Sequence, residues 1–182
     1  MKKRRIGILT GGGDCPGLNA VIRAATKTAV SDYGMEVVGY IDGFKGLVEN
    51  HFMRLDPKAV SGISHRGGTI LGTTNRDNPF RYLVGGTLEN PIFDDVSDKA
   101  IENLNRLGIE GLIIIGGDGS LNIADQFYKK GVPMVGVPKT IDNDLSATEV
   151  TFGFNTAVNT ATDALDKLHT TAESHHRAMV LE

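Results

Sequence analysis

Three short segments hold the residues best suited to chemistry, and each combines glycine with oxygen or nitrogen donors. The first runs Ile6-Gly7-Ile8-Leu9-Thr10-Gly11-Gly12-Gly13-Asp14-Cys15-Pro16-Gly17-Leu18-Asn19-Ala20, an apolar stretch that passes through glycines into a helical pattern. Glycines let backbone N–H groups approach an anion closely, and a helix N-terminus adds partial positive charge, so the segment suits a phosphate. It is neither a G-x-G-x-x-G dinucleotide fingerprint nor a Walker A loop, which ends in G-K-[ST]; a tight turn without a ligand is the plain alternative. The second segment, Leu112-Ile113-Ile114-Ile115-Gly116-Gly117-Asp118-Gly119-Ser120, repeats the layout with a carboxylate at its tip. Asp118 can hold magnesium, which takes oxygen ligands and bridges phosphates, or can serve as a helix N-cap. The third, Val137-Pro138-Lys139-Thr140-Ile141-Asp142-Asn143-Asp144, gathers two carboxylates, an amide, a hydroxyl and an ammonium. Asp142 or Asp144 can take the proton of a hydroxyl that attacks phosphorus; an Asx-rich structural turn is the alternative.

Turns of this kind need strands to carry them. Short apolar runs predict strands at Arg5–Leu9, Glu36–Ile41, Leu112–Ile115, Met134–Val137 and Ala178–Leu181. Apolar residues recurring at three and four predict helices at Leu18–Asp32, Ser97–Leu107, Leu121–Lys130 and Asn155–Thr170. The alternation is that of repeated βαβ units, hence an α/β domain with a parallel sheet and crossover helices. Residues 42–96, with several glycines and the pair Asn78-Pro79, predict loops and short elements. The three motifs then stand at the carboxyl ends of strands, where open α/β sheets bind ligands.

With 182 residues and 40% hydrophobic content, the chain is long enough for one sizeable core. A formal charge of -3 supplies no basic field for nucleic acid or an anionic membrane, so phosphate must be met by local groups. A single cysteine, Cys15, excludes an internal disulfide framework and fits a reducing compartment, so a cytoplasmic location is expected. The basic start Met1-Lys2-Lys3-Arg4-Arg5 precedes only four apolar-run residues, Ile6-Gly7-Ile8-Leu9, which is a strand rather than a signal peptide. No run approaches the roughly 18 to 20 apolar residues that cross a bilayer. An apolar run directly before Glu182 is an odd finish for a domain, so a longer parent chain is expected.

The strings are more specific than a generic phosphate loop. The sequence resembles the phosphofructokinase family in Gly11-Gly12-Gly13-Asp14-Cys15-Pro16-Gly17-Leu18-Asn19, in Arg66-Gly67-Gly68-Thr69-Ile70-Leu71-Gly72, in Gly116-Gly117-Asp118-Gly119-Ser120 and in Pro138-Lys139-Thr140-Ile141-Asp142-Asn143-Asp144. The same order continues through Phe152-Gly153-Phe154-Asn155-Thr156-Ala157 to His176-Arg177. The resemblance implies a Rossmann-like parallel sheet with helices on both faces, residues 1–182 forming the N-terminal portion and the C-terminal sugar-phosphate portion lying outside the chain. It implies Mg2+-dependent phosphoryl transfer from ATP, or from pyrophosphate, to the 1-hydroxyl of fructose 6-phosphate. Gly12, Gly13 and the backbone of Gly117 to Ser120 would meet the donor phosphates, and Asp118 would hold magnesium. Arg76 would act on the transferring group, with Lys139 beside it in the catalytic set, and Asp142 would be the general base. Thr140, Ile141, Asp142, Asp144 and Arg177 would bind the sugar phosphate, Arg177 by reaching into a neighbouring subunit, which implies a homo-oligomer, dimer or tetramer. The isolated chain is expected to have little kinase activity.

Two positions speak to the donor. Gly119 resembles the ATP-using type, where the missing side chain leaves room for the α-phosphate and nucleoside; aspartate there marks pyrophosphate use. Lys139 resembles the pyrophosphate type, where glycine is the ATP counterpart. Gly119 carries more weight, because a steric block decides entry while an added lysine need not exclude ATP. At the family's effector positions stand Arg23, Lys27 and His51, of which only Arg23 offers the arginine fork.

Other residues read as structural. Cys15 is expected to pack rather than react, Leu165 and Leu168 to lie in the core, and Lys2 to Arg5 to be a solvated strand entry. His169, His175 and His176 lack the company of a metal motif. The different-class alternative is a non-catalytic nucleotide- or phosphate-binding module. A diacylglycerol or NAD kinase would share a Gly-Gly-Asp-Gly loop but not the string from Pro138 to Asp144.

Overall fold

The structure is a computed structural model and describes residues 3–181. Strand β1 (Arg5–Thr10) lies near the centre of the main sheet and is flanked on one side by β2 (Glu36–Tyr40) and on the other by β6 (Leu112–Gly116). Its inner residues are buried without alternation, as a strand covered on both faces requires. The sheet order is β3-β2-β1-β6-β7-β8, with β3 Phe52–Leu55, β7 Met134–Thr140 and β8 Phe152–Gly153. All pairings are parallel except β2 with β3. A separate antiparallel hairpin, β4 (Tyr82–Gly86) and β5 (Pro91–Asp94), stands outside it.

Helices cover both faces, and the side chains sort accordingly. Ile8, Val37 and Ile115 meet Leu18, Ile22 and Ala29 of the first crossover, together with Val60, Ile63 and Leu71. Leu9, Tyr40, Leu112 and Ile114 meet α2 (Phe44–Glu49), α3 (Ser97–Leu107) and α4 (Asp118–Lys129) on the opposite face. Helix α1 (Leu18–Lys27) continues into a π-helical turn at Thr28–Asp32, so the span predicted as one helix holds with a change of geometry at its end. Helix α4 begins at Asp118, three residues ahead of the sequence expectation. Asn103, buried in α3, donates to the carbonyls of Leu47 and Val48 at 2.9 and 3.0 Å and so satisfies the end of α2.

Three expectations are corrected. The run Ala178–Leu181 is not a strand but is exposed and irregular, because among the described residues nothing pairs with its backbone. Leu165 is 50% exposed and Leu168 half-buried, since no residue of α5 (Phe154–His175) is buried. Arg5 is not a solvated entry: it ion-pairs with Glu36 and donates to the Leu107 carbonyl, whereas Arg4 pairs with Glu110 at the surface. Lys2 lies outside the described residues.

Candidate active site

The site forms where the crossovers diverge. The β1–α1–β2 unit places α1 on one face, while β6–α4–β7 places α4 on the other, so a crevice opens between the carboxyl ends of β1 and β6. A cleft of about 540 Å³ occupies it, lined by Gly12, Gly13, Asp14, Phe44, Thr74, Asn75, Asp77, Asn78, Gly117 to Ser120, Ile123 and Lys139 to Asp142. All three motifs therefore meet in one cavity.

Close packing of two turns sets its shape. A Cβ on Gly11 would lie 2.5 Å from Ser120 Oγ, and one on Gly116 would lie 2.5 Å from Ser120 Cβ, so only glycine lets the turns after β1 and β6 touch. The Gly11 amide donates to the Ile115 carbonyl at 2.9 Å. Helix α4 starts in the cleft with Gly117 at its N-cap and no side-chain cap, leaving N-terminal amides facing the space. Asp118 thus stands in the first turn and not at the cap, its carboxylate accepting from Asn122 at 3.0 Å.

The segment 66–78 holds the first turn from outside the sheet. Thr10 Oγ1 donates to the Gly72 carbonyl at 2.7 Å, Thr73 Oγ1 to the Gly12 carbonyl at 2.6 Å, and the Gly12 amide to the Thr74 carbonyl at 3.0 Å. Buried Asn19, at the start of α1, donates to the carbonyls of Arg66 and Gly67 and accepts from the Ile70 amide. The segment also delivers Thr74, Asn75, Asp77 and Asn78 to the cleft, which the sequence reading left without roles. The polar run Thr73 to Asn78 ahead of Pro79 shows their residue types, but no local pattern places them in the cleft.

The turn after β7 carries Lys139, Thr140 and Asp142. Lys139 is only 4% exposed, and its ammonium donates to the Gly13 carbonyl. The Asp142 amide donates to Thr140 Oγ1 at 3.1 Å, and that hydroxyl lies 3.4 Å from Asp142 Oδ2. Behind them, buried Thr151 donates its hydroxyl to the Thr140 carbonyl at 2.7 Å and its amide to Asn143 Oδ1 at 3.0 Å. Asn143 turns the chain with φ 51.

Cys15 joins the first turn to β8. Its thiol donates to the Phe152 carbonyl at 3.2 Å and abuts Gly153, where a Cβ would sit 1.9 Å from the sulfur. Gly153 also holds φ 102, which a side chain resists. Burial pushes the thiol pKa up, an effect the Lys139 charge opposes and the Asp14 and Asp142 charges reinforce. The thiol is a packing group.

Arg76, Asp144 and Arg177 do not line the cleft. Arg76 is exposed on the loop whose neighbours Asn75 and Asp77 do, Asp144 is exposed just beyond the β7 turn, and Arg177 is exposed past the end of α5. Arg23, Lys27 and His51 likewise lie off it. Four carboxylates (Asp14, Asp77, Asp118, Asp142) and one ammonium (Lys139) face the cleft, so a polyphosphate would enter most readily with a cation. Among the described residues no three His, Cys, Asp or Glu side chains form a metal cluster. That donor set fits magnesium held by one carboxylate and the ligand's own phosphates, with Asp118 as the protein's oxygen donor.

An open α/β sheet with a glycine-walled cleft at its switch point is the class of domain defined by these features. Within that class the chain belongs to the phosphofructokinase family, whose model matches residues 5–182. It is 61% identical over 179 residues to an ATP-dependent 6-phosphofructokinase 2 of Clostridium perfringens, covering 98% of this chain and 49% of the relative. It is 51% identical to a pyrophosphate–fructose 6-phosphate 1-phosphotransferase of Streptomyces coelicolor, again covering 98% and 49%. The chain therefore spans about half the length of these curated relatives. The solved structure of phosphofructokinase from Saccharomyces cerevisiae superposes with a TM-score of 0.77 at 29% identity, covering 95% of this chain and 25% of that one. Among the described residues no helix is long and apolar enough to cross a membrane.

Proposed function

We propose that this chain is the donor-binding half of a cytoplasmic, homo-oligomeric 6-phosphofructokinase, which moves a phosphoryl group from ATP to the 1-hydroxyl of fructose 6-phosphate in glycolysis. The observation that carries the reading is the convergence of Asp118 and Asp142 on one glycine-walled cleft. Donor phosphates would lie on Gly12, Gly13 and the α4 N-terminus, where free amides and the helix dipole favour anions. Asp118 would hold magnesium, which would supply positive charge to offset the donor phosphates. Asp142, oriented by Thr140, takes the proton of the 1-hydroxyl as its oxygen bonds to the γ-phosphorus; the bond to the β-phosphate oxygen breaks, releasing ADP and fructose 1,6-bisphosphate. Lys139 offsets charge on the transferring group, and Thr140 and Ile141 serve the sugar phosphate; Arg76, Asp144 and Arg177, exposed outside the cleft, would act only on a ligand that extends beyond it.

ATP is the favoured donor because a Cβ at Gly119 would meet no atom within 4 Å, so the space there is open. The Lys139 ammonium, the feature resembling pyrophosphate enzymes, is meanwhile engaged by the Gly13 carbonyl. Relatives of both names stand near this chain, so pyrophosphate is the second reading. The test joins this chain to the remaining half of the Clostridium relative and follows fructose 1,6-bisphosphate formation with each magnesium-bound donor in turn. Turnover with ATP supports the proposal; turnover with pyrophosphate alone transfers it to the second reading, and none with either refutes it.

A further inference from the structure

Two successive peptide units in the first turn have their carbonyls claimed by distant parts of the chain. Thr73 Oγ1 donates to the Gly12 carbonyl at 2.6 Å, and the Lys139 ammonium donates to the Gly13 carbonyl. A trans peptide points its C=O and N–H in opposite directions, so each contact also fixes an amide: Gly13 N–H in the first unit and Asp14 N–H in the second. Neither amide has a partner among the described residues, whereas the Gly12 amide is spent on the Thr74 carbonyl at 3.0 Å. Gly12, Gly13 and Asp14 all line the cleft, and a Cβ at Gly13 would meet no atom within 4 Å. The two free amides thus border open space.

The unit between Gly12 and Gly13 is the one free to turn over. Glycine on both sides removes the Cβ clashes that resist a peptide flip, and Gly12 already holds φ 82. Once flipped, the unit would present a carbonyl oxygen where it now presents an amide, and that dipole repels an anion. We propose that Thr73 is a positioning residue for the phosphate donor: its hydroxyl holds the Gly12–Gly13 peptide so that the Gly13 amide is kept for the donor's phosphate oxygens. Thr73 is half-buried and does not itself line the cleft, so it acts only through that peptide. Lys139, by contrast, lines the cleft and brings its charge to a ligand directly, so Thr73 is the residue that isolates the effect. This inference rests on the donor reading of the cleft and adds the side chain that sets its first turn.

The test titrates magnesium pyrophosphate and, separately, magnesium ATP into the 182-residue chain and its Thr73→Val, Thr73→Ala and Thr73→Ser variants, followed by calorimetry and amide NMR. Valine keeps the shape of threonine without the hydroxyl, alanine removes both, and serine keeps the hydroxyl. Apparent affinity scales with the fraction of molecules in the competent state, so a variant that keeps the amide presented in one molecule in about ten binds about tenfold more weakly. The expected result is a loss of about tenfold or more for both ligands with valine and alanine, and serine within about twofold of the parent. Without ligand, the Gly13 amide resonance should move in the valine and alanine variants and return with serine, while those of β1 and β6 stay in place. General loosening of the fold does not produce that pattern. Undiminished binding in both hydroxyl-free variants, or a loss that serine does not restore, overturns the role of Thr73 and leaves the donor reading standing. A parent chain that binds neither ligand, or binds without a shift at Gly13, overturns the donor reading and this inference with it.

Discussion

Lys139 donates its ammonium to the backbone carbonyl of Gly13, tying the turn after β7 to the turn after β1 across the cleft. The two turns lie on strands separated by β6, so this contact bridges the outer two of the three motifs.

Replacing Lys139 with methionine keeps a long side chain and removes the charge. Hydrogen bonds to charged groups are worth about 1.5–3 kcal/mol, so magnesium pyrophosphate should bind about ten- to a hundredfold more weakly. Isothermal titration of the variant against the parent chain measures it, and equal affinities would remove Lys139 from the site.

Gly119→Asp should act on the ligand and not on the fold. A Cβ there meets nothing, so the melting temperature should stay within the range of a surface change of about 0.5 kcal/mol. Binding of magnesium ATP should fall while that of pyrophosphate persists. If ATP binding survives, the open space at Gly119 does not select the donor.

Thr151→Val removes the hydroxyl that holds the Thr140 carbonyl at 2.7 Å and leaves the residue's shape. A buried acceptor without its donor costs on the order of 1–3 kcal/mol, and Thr151→Ser should recover most of it. Thermal unfolding reports both. Valine as stable as threonine would mean that the β7 turn is held by Asn143 alone.

The Cys15 thiol has a sign that can be checked. Its pKa is raised in the fold by burial, so the neutral form is favoured and its stabilisation is complete below the unfolded thiol's pKa. It is lost as pH rises through the folded value. Stability should therefore fall only as pH rises above the unfolded thiol's pKa of about 8.5, and Cys15→Ala should flatten that limb. A steeper fall in the variant would contradict a buried neutral thiol.

Strands β1, β2, β6 and β7 were legible because each is a short apolar run closed by glycine or polar residues, and α3 was legible to its exact ends by its periodicity. The cleft was legible because its walls come from turns that immediately follow those strands. What escaped depended on long-range contact. Thr74, Asn75, Asp77 and Asn78 enter the cleft on a segment held by hydrogen bonds from Thr10, Gly12 and Asn19, which no local pattern records. Leu165 and Ala178–Leu181 have the sequence of buried elements but stand exposed, because burial depends on long-range packing that no local pattern records.

The most direct measurement is amide mapping by NMR as magnesium ATP is titrated into the chain. The expected result is that saturable shifts gather at Gly12 and Gly13, at Gly117 to Ser120 and at Thr140 to Asp142, and that Asp118→Asn weakens them. Shifts confined to one turn, or spread over residues away from the cleft, would contradict a single donor site built from three turns.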